Sequence, residues 1–160
     1  MIEFLENLIL NENIKIFILS MLPITELRFS IPYGILMYDI SITNTVLLSV
    51  IGNILIGIIV IYLIGPLMNF LRKVQYIRKI IDNIFKRTKN KGKIINNMKF
   101  FGLIIFVGIP LPLTGVWTGA LASYLFSISR RRAMIGIVLG VLISSFIMLS
   151  ITLAGKKVLF

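Results

Sequence analysis

The sequence predicts an all-α integral membrane protein. It reads as an inverted-topology repeat of a re-entrant helical hairpin followed by a transmembrane helix, plus a basic cytoplasmic amphipathic helix between the copies. Three observations predict this. First, 58% of the 160 residues are hydrophobic and 14% are charged, whereas soluble domains are about a quarter charged. No charge falls within residues 40–71, 100–129 or 133–155, and roughly 20 apolar residues are enough to cross a bilayer. Second, the 17 Lys and Arg outnumber the 6 Asp and Glu and are concentrated: residues 72–99 hold ten basic groups and one acidic group, Asp82. A basic loop between apolar runs marks the cytoplasmic side. Third, Leu22-Pro23-Ile24-Thr25 recurs as Leu111-Pro112-Leu113-Thr114 in a second segment of the same layout.

The first repeat covers residues 1–71. Residues 1–13 are acidic and amphipathic, with Ile2, Leu5, Leu8 and Ile9 on one face, as expected of a segment lying in the interface. Glu3, Glu6 and Glu12 stand where a signal peptide would be basic, so none is expected. Residues 14–38 are apolar but interrupted by Pro23, Glu26, Arg28, Pro32 and Gly34. Two prolines and two charges within ten residues do not suit a simple spanning helix. Broken backbone at membrane depth survives where protein or a watery cavity covers it, so a re-entrant hairpin turning near Pro23–Pro32 is expected. Residues 42–71 read as a clean spanning helix with Asn53 as its most polar interior residue, expected to hydrogen-bond another helix.

Residues 72–99 form the basic segment. Ile77, Ile80, Ile81, Ile84 and Phe85 recur at helical spacing, which predicts a surface-lying amphipathic helix. The second repeat covers residues 100–160. Its hairpin, 100–129, is broken by Pro110, Pro112, Gly115 and Gly119, and Arg130, Arg131 and Arg132 follow. Its spanning helix is 133–155, closed by Lys156-Lys157. Gly52 matches Gly140 between the halves. With 72–99 inside, helix 42–71 runs inward, the second hairpin returns to the cytoplasmic face, and helix 133–155 runs outward. The first hairpin then enters from outside.

The chain has no cysteine and no histidine. That removes thiolate and imidazole metal sites and the usual serine–histidine or cysteine–histidine pair. An enzyme, a bound cofactor and a metal are therefore not expected, and the basic loop reads as a topology signal rather than a nucleic-acid surface. Glu26 is the most informative residue, because a carboxylate within a membrane segment is costly and marks function by default; it is the candidate proton carrier. Arg28 is its candidate partner or an anion contact. Thr25 and Thr114, beside broken backbone, are candidate substrate hydroxyls, with helix capping the stronger reading. Gly115-Val-Trp-Thr-Gly119 is a small-xxx-small pattern that favours close helix packing. Trp117 is an interfacial anchor or part of a substrate wall. Arg130 is an anchor or a phosphate contact.

Leu22-Pro-Ile-Thr-Glu-Leu-Arg28, Ile31-Pro-Tyr-Gly34 and Pro110-Leu-Pro-Leu-Thr-Gly-Val-Trp-Thr-Gly-Ala120 together carry a resemblance. Over nearly its whole length the chain resembles the small multi-drug export protein family, which looks like a distant branch of the DedA (VTT) membrane-protein superfamily. The resemblance implies two facing re-entrant hairpins with spanning helices and a role in transport. For the superfamily that means proton-motive-force-linked movement of lipids, including polyprenyl phosphate carriers. Glu26 matches the acidic residue that DedA proteins carry after a proline-rich first hairpin. The second hairpin departs from their pattern: Gly115 and Trp117 follow its prolines, and the nearest arginine is Arg130.

The expected function is proton-coupled transport of a small amphipathic or lipid-like, phosphate-bearing substrate across the cytoplasmic membrane. The expected partners are membrane lipids, the substrate and protons. With so few spanning helices the chain is a candidate homodimer. The alternative is a non-transporting membrane assembly protein whose broken helices are structural.

Overall fold

A computed structural model describes residues 11–38, 40–71, 73, 93–111 and 114–159. These residues form six helices and no strand: α1 (Glu12–Met21), α2 (Glu26–Leu36), α3 (Ile42–Leu71), α4 (Lys93–Gly108), α5 (Val116–Leu125) and α6 (Arg130–Leu159). The interfacial segment expected at 1–13 falls outside the described residues up to residue 10. So does most of the basic amphipathic helix expected at 72–99. The second broken segment begins earlier than its apolar run, because α4 starts at Lys93 rather than at Phe100.

Helices α3 and α6 have 30 residues each. At about 1.5 Å per residue each is long enough to pass the roughly 30 Å hydrocarbon core of a bilayer. Their apolar stretches, Ile42–Phe70 and Arg130–Val158, have mean hydropathies of 2.7 and 2.5. Leu47, Ile51 and Leu55 of α3 and Leu139, Ile143 and Phe146 of α6 are exposed, giving the outer faces the apolar character that lipid tails require.

The short helices are set by local chemistry. Asn11 caps α1 by accepting from the Asn13 N–H at 2.9 Å. The helix stops at Met21 because Pro23 pushes the residue before it out of helical space, and Leu22 is extended at φ −75°, ψ 142°. The turn is confined to Leu22–Thr25. Pro32, expected to help form it, lies inside α2. In the second half, Gly108 ends α4 two residues before Pro110, and Gly115 opens α5 with φ +149°. That angle is left-handed backbone, where residues with a side chain are disfavoured.

In each half the two short helices pack on each other and on the long helix that follows. Across the halves α2 packs on α6, α5 packs on α3, and the long helices touch. Exchanging the first three helices for the last three leaves this pattern unchanged. The matched glycines mark equivalent crossings. A Cβ at Gly52 would come within 2.8 Å of the Phe17 carbonyl oxygen of α1; one at Gly140 would come within 2.6 Å of Val107 and 3.1 Å of the Ile104 carbonyl oxygen of α4. The main core joins both halves, with Leu27 and Ile31 of α2, Val60 of α3, Val107 of α4, Ala120 of α5 and Ile137 of α6 among its members.

Candidate functional site

The two breaks meet, and the residues beside them reach across to each other. Glu26 is the first residue of α2 and is 5% exposed. Its backbone holds φ +46°, an uncommon conformation for a residue with a side chain and one that concentrates at functional sites. The carboxylate rests on the start of α5, facing the backbone N–H groups of Val116 and Trp117. A helix N-terminus suits a negative group because its first N–H groups lack helical partners and the helix dipole is positive there. Gly115 makes the approach possible, since a Cβ at that position would collide with the carboxylate.

Arg28 lies beside this contact. Its Nη1 stands 3.9 Å from Glu26 Oε2. Its Nη2 donates to the Thr114 carbonyl and, at 2.9 Å, to Thr114 Oγ1. Arg28 Nε is buried without a hydrogen-bond partner. In the opposite direction, Trp117 Nε1 donates to the Met21 carbonyl at 3.1 Å. Thus an arginine from the first half clasps the second break, and a tryptophan from the second half clasps the first. The sequence repeat places them at matching positions, each three residues after its own Thr.

The two threonines secure the breaks themselves. Thr25 Oγ1 donates to the Leu19 carbonyl in the last turn of α1, and as the residue preceding α2 it makes no side-chain cap bond. Thr114 Oγ1 has the Ile109 and Leu111 carbonyls at 2.9 and 2.8 Å and also accepts from the Leu111 N–H. Capping does occur, but it satisfies carbonyls of the preceding segment rather than the first N–H groups of the following helix.

Five of the six residues singled out from the sequence, Thr25, Glu26, Arg28, Thr114 and Trp117, therefore converge. Arg130 does not. It is exposed at the start of α6, its guanidinium lies 5.6 Å from the Tyr62 ring centroid, and it borders a cavity of about 330 Å³ with Ser127 and Ser129. That cavity lies at the far end of α5, where Ser123 and Tyr124 line it, and α5 is about 15 Å long by helix rise. Gly115, Val116 and the Met21 carbonyl were not singled out as site groups. The glycine was visible only as part of a packing pattern, and backbone groups leave no mark on side-chain chemistry.

The sequence model described as "Putative small multi-drug export protein" matches residues 26–147, most of the chain. The chain belongs to this family. The matched range begins at Glu26 and spans Arg28, Thr114, Gly115 and Trp117, whereas Met21 and Thr25 lie just before it. No curated protein and no solved structure matches the chain. Family membership, with two helices long and apolar enough to cross a bilayer, supports a membrane protein, and the family's description is consistent with a transporter.

Proposed function

We propose that this small multi-drug export family member is a proton-coupled transporter of the cytoplasmic membrane, moving a small amphipathic or lipid-like substrate with an anionic, phosphate-type group. The observation that carries the reading is the buried Glu26 carboxylate held between Arg28 and the start of α5. Ionised Glu26 occupies donors that would serve any other anion equally well. When it takes up a proton, its hold on the Val116 and Trp117 N–H groups and on Arg28 weakens, and those donors become free for the anionic group of a substrate. Proton and anion then favour each other's binding, and by linkage each strengthens the other by the same factor.

On this reading the two broken segments are re-entrant hairpins facing each other near mid-bilayer, and the halves are an inverted repeat with the 72–99 segment cytoplasmic. The unchanged contact pattern on exchange of the halves supports this, as do the matched crossings at Gly52 and Gly140 and the reciprocal Arg28 and Trp117 bonds. A clasp built from broken helices around one acidic residue also fits the DedA-like arrangement.

The test is reconstitution of the full chain into vesicles with a panel of cationic drugs and lipid phosphates, with and without a pH gradient. Wild type is expected to move at least one lipid phosphate faster with the gradient. Glu26→Gln, which fixes the neutral form, is expected to insert and fold normally, because an amide costs less in the bilayer than a carboxylate, but to lose the gradient dependence. Undiminished gradient-driven transport by a folded Glu26→Gln variant would sink the proton-carrier role.

A further inference from the structure

The face of α3 that packs against α2 is polar, and the matching face of α6 is not. Thr45, Ser49 and Asn53 follow at i, i+4 and i+8, one stripe of a helix, and their exposures are 0%, 0% and 1%. On α2, running antiparallel, Glu26, Ser30 and Gly34 have the same spacing. The stripes are in register. A Cβ at Gly34 would meet Thr45 Cγ2 at 2.5 Å, and Ser30 Oγ donates to Ser49 Oγ at 2.8 Å. One further turn brings Glu26 level with Asn53, whose Nδ2 donates to the Ser20 carbonyl at 2.8 Å. Thr45 Oγ1 is buried without a hydrogen-bond partner.

The second half is an internal control. The alignment that pairs Gly52 with Gly140 pairs Thr45, Ser49 and Asn53 with Ala133, Ile137 and Val141, and each of these is also 0% exposed. Burial of the long helix in this fold therefore does not demand polar side chains at these positions. A buried hydroxyl without a partner is unfavourable, so its presence in the half that carries Glu26 points to something other than packing.

We propose that the α2–α3 seam is a proton-access route joining the Ile42 end of α3 to Glu26; the inference rests on the reading of Glu26 as a proton carrier. At the open end, Ser41, one turn before Thr45, and Asn44, next to it in the chain, are exposed. Successive levels of the seam are about 6 Å apart along the helices, a gap that one bridging water spans. Each hydroxyl can donate and accept. It takes a proton on one lone pair and releases its own hydrogen onward, so no group on the route keeps a net charge. The final transfer converts the Glu26 carboxylate to the carboxylic acid. α3 and α5 carry no charged residue, and the charged group beside Glu26 among the described residues is Arg28.

The experiment is infrared spectroscopy of the full chain in lipid bilayers. An acid-minus-neutral difference spectrum isolates the carboxylic C=O band, and its loss in Glu26→Gln assigns that band to Glu26. The buffer is then switched from H2O to D2O, and the rate of the deuterium shift of the band is followed. Thr45→Val and Ser49→Ala are expected to slow the shift roughly tenfold or more, the effect of losing one hydrogen-bonded relay group. Thr45→Ser, which keeps the hydroxyl and removes a methyl, is expected to exchange near the wild-type rate. A Glu26 band that exchanges at the wild-type rate in both Thr45→Val and Ser49→Ala overturns the route and leaves the proton carrier standing. Equal slowing by Thr45→Ser and Thr45→Val traces the effect to packing and also overturns it. If wild type shows no Glu26-dependent band at any acidic pH, the proton-carrier reading falls and the route falls with it.

Discussion

Gly115 and Glu26 depend on each other, and the dependence is measurable. Gly115 needs the absence of a Cβ twice over, for its φ of +149° and for the carboxylate above it. Gly115→Ala is expected to destabilise the protein by about 1–3 kcal/mol, the usual cost of a residue held in sparsely populated backbone space. Part of that loss should return in a Glu26→Ala background, where the carboxylate no longer fills the space. Thermal unfolding in detergent of both single variants and the double variant measures the coupling; simple additivity would place Glu26 elsewhere. Arg28 makes a different demand. Its guanidinium serves the Thr114 carbonyl and hydroxyl together. An ammonium keeps the charge but not the planar fork. Arg28→Lys is therefore expected to retain part of the gradient-driven transport and Arg28→Gln little of it, read in the same vesicle assay.

Between helices, the matched glycines set the distance at which each first short helix crosses its long one. Gly52→Ala would push a methyl against the Phe17 carbonyl, and Gly140→Ala would push one against Val107. Each is expected to cost about 1–3 kcal/mol through overpacking, with similar losses in the two halves if the crossings are equivalent. Gly102 provides the contrast. It is exposed within α4, and nothing lies within 4 Å of a Cβ added there. Gly102→Ala is expected to be neutral or to stabilise by up to about 1 kcal/mol through reduced backbone entropy. Unfolding midpoints of the three variants check the set. A strong loss at Gly52 with none at Gly140 would mean that the two halves are not packed alike.

The arrangement of the whole chain in the bilayer makes one prediction that no single contact can make. If the halves are inverted, the two breaks are reached from opposite faces, and the short second helices, α2 and α5, end on opposite sides. The chain contains no cysteine, so single cysteines at Ser41, Asn90 and Ser129 can be labelled without background. With the basic segment inside, an impermeant thiol reagent is expected to reach Ser41→Cys from outside and Asn90→Cys and Ser129→Cys only from the cytoplasmic face. Labelling of Asn90→Cys and Ser129→Cys from different sides would make the second broken segment a true span and remove the inverted repeat.

The long helices, the breaks and the charge segregation were legible in the sequence because each has a local cause. A long, uncharged and mostly apolar run makes a long helix whatever its neighbours are, and α3 has the bounds 42–71 that its sequence predicts. Proline stops α1 through its own ring and the residue before it, and the repeated Leu-Pro-x-Thr lies at both breaks, though α4 already ends at Gly108, ahead of Pro110. Glu26 and Arg28 stood out because charges in apolar segments are rare, and Asn53 because it interrupts an apolar helix. What those groups touch was not legible. The docking of Glu26 on α5 depends on backbone N–H groups and on a missing Cβ at Gly115, and neither has a compositional signal. The α2–α3 seam needed the antiparallel register of two helices before Ser30 and Ser49 became partners. Arg130 looked like a fellow member of the site, but the length of α5 carries it to the other end of the fold. Local hydropathy and backbone sterics act within a few residues, whereas a site assembled from two halves of a chain exists only once those halves have packed.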